Sequence, residues 1–291
     1  MNNYNKKWIY LFVLSIIWGS SYILIKKSLE GLTPLQVGSL RVVFTTLTLL
    51  IIGYPTIKKV PKSKWKWIVL TGYIGSFFPS FLFAFAQTEI DSGITAILNS
   101  LTPLATLIIG LCFFKLIIDK KQVSGIIIGL IGSCLLVLES SSLNPEQNYF
   151  FVGLILLAST FYAISLNMLK AHLQDVSPVA IALCNFLCIL PPSILVLFFS
   201  GFENINFSAK QIQISIVYVV ILSIVGSAFA KIVFNKLVQI SSPIFASSIT
   251  YTLPIVALIW GILDNEVMNI NQILAALIIL FGVYLSNKKS N

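Results

Sequence analysis

The 291-residue chain is 57% hydrophobic and 10% charged, carries a formal net charge of +9 and has a mean hydropathy of +0.94. A soluble domain of this length could not cover so much apolar surface with so few charges, which excludes a water-soluble enzyme and predicts a chain whose solvent is the bilayer. The connections between apolar stretches are too short for a separate catalytic or nucleic-acid-binding domain.

About 20 apolar residues span a hydrocarbon core. On that scale the sequence predicts an all-α integral membrane protein of ten transmembrane helices, near 8–25, 35–52, 67–86, 94–114 and 123–138, then 150–169, 179–199, 212–237, 244–263 and 270–285. Lys6 and Lys7 precede the first run as in a secretory signal, but the run is long, aromatic and lacks a small-residue cleavage pattern, so it reads as a membrane helix. Within it Trp18 and Tyr22 lie one helical turn apart. The second span carries Arg41, the only arginine, about a turn and a half from one end, where a guanidinium can hold a carboxylate bidentately or snorkel to the interface. Pro79 in the third span reads as a plain kink. In the fourth, Pro103 lacks an N–H and clashes with the carbonyl four residues earlier, which frees the carbonyl of Asn99 at mid-depth. Gly125, Gly129 and Gly132 share a face of the fifth span and suit close helix packing.

A serine-rich stretch at 139–143 divides the chain into units 1–143 and 144–291. The sixth span contributes Tyr162, the eighth Lys231, and the ninth Thr250, Tyr251 and Pro254, where Pro254 frees the Thr250 carbonyl as Pro103 does that of Asn99. In lipid, freed carbonyls must be satisfied within the protein or by water in a cavity. The matched prolines therefore predict a shared central cavity, with packing kinks as the alternative. A charge at the centre of a span costs roughly 2.5–3.5 kcal/mol, which makes Arg41 and Lys231 candidates for the site, although each can also snorkel.

The halves align. Asn99-Ser-Leu-Thr-Pro103 and Thr250-Tyr-Thr-Leu-Pro254 are 151 residues apart, as are Leu107 and Leu258, Ile108 and Ile259, and Gly110 and Gly261. Tyr22 with Tyr162, Thr33-Pro34 with Ser177-Pro178, Arg41 with Asn185 and Gly132 with Gly282 follow at offsets between 140 and 150. Five spans is an odd number, so the second repeat enters the membrane from the opposite face. Charge supports the orientation: with the N-terminus inside, only Lys26, Lys27 and Lys210 of the lysines face out, and only Asp119 and Asp175 of the acids face in. Both termini are then cytoplasmic, and the basic surface is an orientation signal that favours anionic lipid over nucleic acid.

Trp18-Gly19-Ser20-Ser21-Tyr22, Arg41, Leu101-Thr102-Pro103 and the run from Pro254 through Trp260-Gly261 to Asp264-Asn265-Glu266 resemble the EamA-type branch of the drug/metabolite transporter superfamily, over essentially the whole chain. The resemblance implies an inner-membrane carrier that moves small metabolites such as amino acids, usually by export. Two positions depart from the pattern, Lys115 in place of an acid and Asn265 in place of a glycine, and both are expected to affect loop ends more than the transport path.

Inverted repeats place a substrate site near the midplane, where they meet. The expected path comprises Trp18, Tyr22, Arg41, Asn99, Pro103, Tyr162, Lys231, Thr250, Tyr251 and Pro254, in a monomer or homodimer. No carboxylate lies mid-span, which argues against an intramembrane enzyme and leaves the coupling mode open. The cysteines and the single His172 form no zinc-like cluster, so neither metal nor cofactor is expected. A channel or a nontransporting sensor or partner subunit is the alternative class.

Overall fold

The computed structural model describes residues 3–114, 120–143, 148–266 and 269–287. Among them the chain forms helices and no strand. Eight helical segments are long and apolar enough to cross a membrane: α1 (Lys6–Leu29), α2 (Pro34–Lys59), α3 (Lys62–Ala86), α4 (Ser92–Phe113), α6 (Tyr149–His172), α7 (Pro178–Phe199), α8 (Lys210–Ile240) and α9 (Phe245–Leu263). The remaining two, α5 (Lys120–Leu143) and α10 (Ile270–Asn287), contain shorter apolar helices. Lys115 lies outside the described residues.

The distribution of side chains is that of a protein dissolved in lipid. Ile51, Phe113, Phe150 and Phe199 are among the most exposed residues, while Ser39, Thr45, Thr46, Thr95, Ser193 and Ser223 are buried. Where there is no water to drive apolar collapse, small and hydroxylated residues sit between helices and let the backbones approach. Gly282 on α10 shows the extreme: a Cβ there would meet the Gly125 carbonyl oxygen at 2.8 Å and the Gly129 backbone closer still, so the glycine face predicted on α5 does pack tightly.

Helix pairing comes in matched sets. α1 packs on α9 as α6 packs on α4; α3 packs on α6 as α8 packs on α1; α2 pairs with α7, and α5 with α10. Each of these pairings maps onto another, or onto itself, when the first five segments are exchanged with the last five. Local chemistry repeats too. Thr33 caps α2 with a proline at the first helical position, and Ser177 caps α7 in the same way, accepting from the Ala180 N–H at 3.1 Å.

The loops group at two ends. Lys64 reaches the His172 carbonyl at 2.9 Å and Asp175 at 2.7 Å, Trp67 stacks on His172, and Lys170 donates to the Ser241 carbonyl at 2.7 Å. At the other end, Lys26, Ser92, Asp264 and Glu266 converge.

Candidate functional site

The fourth segment of each half is broken. α4 runs as Ser92–Asn99 and restarts as Thr102–Phe114, while α9 passes through a 3-10 turn at Ser248–Tyr251 before restarting as Leu253–Leu263. Pro103 and Pro254 are each the second residue of the restarted helix, where the missing N–H leaves no bond unmade. The Asn99 carbonyl accepts from Thr102 Oγ1 at 2.7 Å, so a neighbouring hydroxyl satisfies it. The Asn99 side chain donates to Tyr22 Oη at 2.7 Å and accepts from Ser159 Oγ at 3.0 Å. Thr250 Oγ1 donates to the Ser247 carbonyl at 2.9 Å.

A second pair of irregularities was not anticipated. π-helical turns occupy Tyr73–Phe77 in α3 and Leu222–Phe229 in α8. Such turns widen the helix and occur often at functional sites. Pro79 follows the first turn, but the second has no proline at the corresponding Ala230, so proline alone does not account for the feature. The signal was present in the sequence: Gly75-Ser76 and Gly226-Ser227 are 151 apart, as are Phe83 and Phe234. Each π turn presents one glycine carbonyl to a side chain. Lys231 Nζ donates to the Gly75 carbonyl and Trp18 Nε1 to that of Gly226, both at 2.9 Å.

These breaks and turns surround a cavity of about 120 Å³. Trp18, Tyr22, Arg41, Asn99, Tyr162, Lys231 and Thr250 line it; Pro103, Pro254 and Tyr251 do not. The prolines set where the helices restart and stay out of the wall. Residues passed over in the sequence also line it, notably Ser76, Ser80, Ser165 and Ser227. An aromatic set spans the two halves: Phe83 lies 6.0 Å from Tyr22 and 5.8 Å from Tyr162, and Phe234 lies 5.0 Å from Trp18, centroid to centroid.

Arg41 and Lys231 do not snorkel away from this space. Arg41 Nε donates to Ser227 Oγ at 2.7 Å, and Lys231 is held by Gly75. Among the described residues no carboxylate lines the cavity. Asn185, the counterpart of Arg41, instead donates to Thr71 Oγ1 at 3.1 Å and stays buried outside the wall.

Ile25 lines the cavity, and directly beyond it the chain enters a polar seal. Asn265 adopts φ 62°, a left-handed conformation that asparagine tolerates and glycine favours, which explains the substitution at this position. The Asn265 N–H bonds to the Ile262 carbonyl and the Glu266 N–H to that of Gly261, a Schellman closure of α9. This turns the Glu266 carboxylate onto the start of α4, where it accepts from the Ser92 N–H at 3.0 Å, Ser92 Oγ at 2.6 Å and the Gly93 N–H at 3.1 Å. The helix dipole favours an anion there. Lys26 completes the seal with Glu266 at 2.9 Å and Asp264 at 3.0 Å, and Lys27 also pairs with Asp264. Burial raises the carboxyl pKa of both acids. Against it, hydrogen bonds from Lys27 and Lys26 to Asp264, and from Ser92 and Lys26 to Glu266, hold both below the ordinary carboxylate values.

The model of the EamA-like transporter family matches residues 6–138 and again residues 150–288. The chain belongs to the EamA-like transporter family. It is an integral membrane transporter protein built from two EamA matches, and the paired breaks described above fall one set in each. Relatives of this EamA chain include an uncharacterized transporter of Archaeoglobus fulgidus, 26% identical over 98% of this chain and 99% of the relative. A protein of Salmonella typhimurium named "Probable amino-acid metabolite efflux pump" is 24% identical over 93% of this chain and 91% of its own length. The inner membrane transporter YedA of Escherichia coli is 25% identical over 94% and 88%. One solved crystal structure superposes with a TM-score of 0.67 at 13% identity, covering 95% of this chain and 94% of the other, which shows the same fold.

Proposed function

We propose that this EamA-family protein is a secondary carrier that exports small metabolites, amino acids or related compounds, across a bacterial inner membrane. Its cargo occupies the cavity between two inverted five-helix repeats, 1–143 and 144–291, and rocking of one repeat against the other exposes that cavity to each side in turn. The observation that carries the reading is the composition of the wall. Mated positions from both halves, Tyr22 with Tyr162, Phe83 with Phe234 and Ser76 with Ser227, meet in one cavity beside discontinuous helices. The printed name of the Salmonella typhimurium relative supports an amino-acid metabolite as cargo.

Both termini are cytoplasmic in this account. The lysine distribution supports it, and so does the grouping of loops: Lys64, Lys170 and Asp175 gather at one end, and Lys26, Asp264 and Glu266 at the other. A reporter fused after Asn291 should read cytoplasmic, and a periplasmic signal contradicts the ten-span arrangement.

Counterflow in proteoliposomes tests the carrier itself, with the labelled proteinogenic amino acids as probes. A carrier shows saturable uptake accelerated by unlabelled substrate on the far side. Linear, non-saturating flux would make the protein a channel, and flux of none of the probes would remove the amino-acid assignment.

A further inference from the structure

Among the described residues, two cations and no acid line the cavity. Arg41 uses only Nε, toward Ser227, and among the described residues no group accepts from its two terminal Nη atoms. Lys231 Nζ has three donors and uses one, toward the Gly75 carbonyl. The two charges share one space: Arg41 and Lys231 both line the cavity, and Arg41 is bonded to Ser227, which lies on the same helix as Lys231. Two like charges with open donors facing one cavity repel each other, and no acid beside them among the described residues offsets that repulsion.

The fold does not require them. At the mated positions, Ser76 stands for Ser227 and Ser80 for Lys231 at an offset of 151, and Asn185 stands for Arg41 at an offset of 144. The same helix positions are thus built with neutral side chains. The cations are an addition to one side of a symmetric frame. They also come from different halves, Arg41 on α2 and Lys231 on α8, so an anion between them would tie the two together.

From this geometry we infer that the cargo is a small organic acid with two carboxylates, one engaged by the terminal nitrogens of Arg41 and the other by Lys231. The planar guanidinium edge suits a bidentate carboxylate, and the lysine ammonium a single charged oxygen. A cargo with one carboxylate would leave one cation uncompensated, and a cationic cargo would add to the repulsion. The inference rests on the carrier reading and narrows it to a class that includes dicarboxylates with or without an α-amino group.

The test uses purified full-length protein in detergent and in proteoliposomes, with succinate, aspartate, alanine and putrescine as probes. Succinate or aspartate at millimolar concentration should raise Tm, and alanine and putrescine should not. Preference for succinate over aspartate, or the reverse, shows whether the amino group is accepted. Arg41→Gln and Lys231→Gln should each weaken that binding at least tenfold, and Lys231→Arg should largely retain it. Unchanged ligand-free Tm in the variants shows that they fold. Stabilisation by neither diacid, or equal stabilisation by alanine, overturns the two-carboxylate assignment. Diacid binding without counterflow leaves the site standing and overturns the carrier.

Discussion

Lys231 on α8 donates to the carbonyl of Gly75 on α3 at 2.9 Å, so a cation from one half of the chain is held by the π turn of the other. The contact depends on a residue without a side chain. A Cβ on Gly75 would overlap Ser165 Oγ and stand 3.4 Å from Lys231 Nζ. Gly75→Ala is therefore expected to lower transport at least tenfold while the protein still inserts and folds. Gly153→Ala, at a glycine with nothing within 4 Å, should transport normally. Counterflow on both variants, beside their melting curves, checks the pair.

Tyr22 and Asn99 form a buried hydrogen bond at 2.7 Å that ties α1 to the break in α4. Tyr22→Phe removes the acceptor and leaves the Asn99 amide without it, at a cost of about 1–3 kcal/mol. The expected result is a Tm several degrees lower, with weaker cargo binding. An unchanged Tm would show that another group takes over the Asn99 donor.

The seal around Glu266 carries a pH prediction. Asp264 and Glu266 have carboxyl pKa values below those of the unfolded chain, so their contribution to stability is complete above the ordinary carboxylate range of about pH 4 to 4.5. It is lost as pH falls through the lower folded values. Melting temperature should decline steeply below about pH 4 in the wild type and less steeply in Glu266→Gln, which starts lower at neutral pH. Parallel pH profiles for the two proteins would contradict this.

The α5–α10 contact should be the least tolerant of added volume. A side chain at Gly282 meets the backbone of Gly125 and Gly129, which cannot move aside as a rotamer can. Gly282→Leu is expected to destabilise by more than the roughly 1–3 kcal/mol of ordinary overpacking and to reduce the folded yield. Size-exclusion profiles and melting curves of the detergent-solubilised variant measure it.

Much of this was legible from residue order. Apolar length located the helices, and the matched prolines located the breaks at Asn99 and Ser248–Tyr251, because a missing N–H leaves a mark in the sequence. The π turns were not legible, since an inserted residue in a helix has no fixed residue type; only the repeated Gly75-Ser76 and Gly226-Ser227 pairs hinted at them. The direction of Arg41 and Lys231 was undecided because snorkelling and a cavity role use the same side chain at the same depth. Hydrogen bonds to Ser227 and Gly75 resolve it. The role of Glu266 was hidden for another reason: its partners Lys26, Ser92 and Gly93 are remote in the chain and meet it only after α1, α4 and α9 pack.

The central claim is that one cavity between the two halves is reached from each side of the membrane in turn. A Ser227→Cys variant, with Cys112, Cys134, Cys184 and Cys188 replaced, tests it directly in oriented proteoliposomes with a membrane-impermeant maleimide. The account predicts labelling from either face, slowed when the bound cargo holds the cavity closed. Labelling from one face only, or from neither in a protein that still transports, would contradict it.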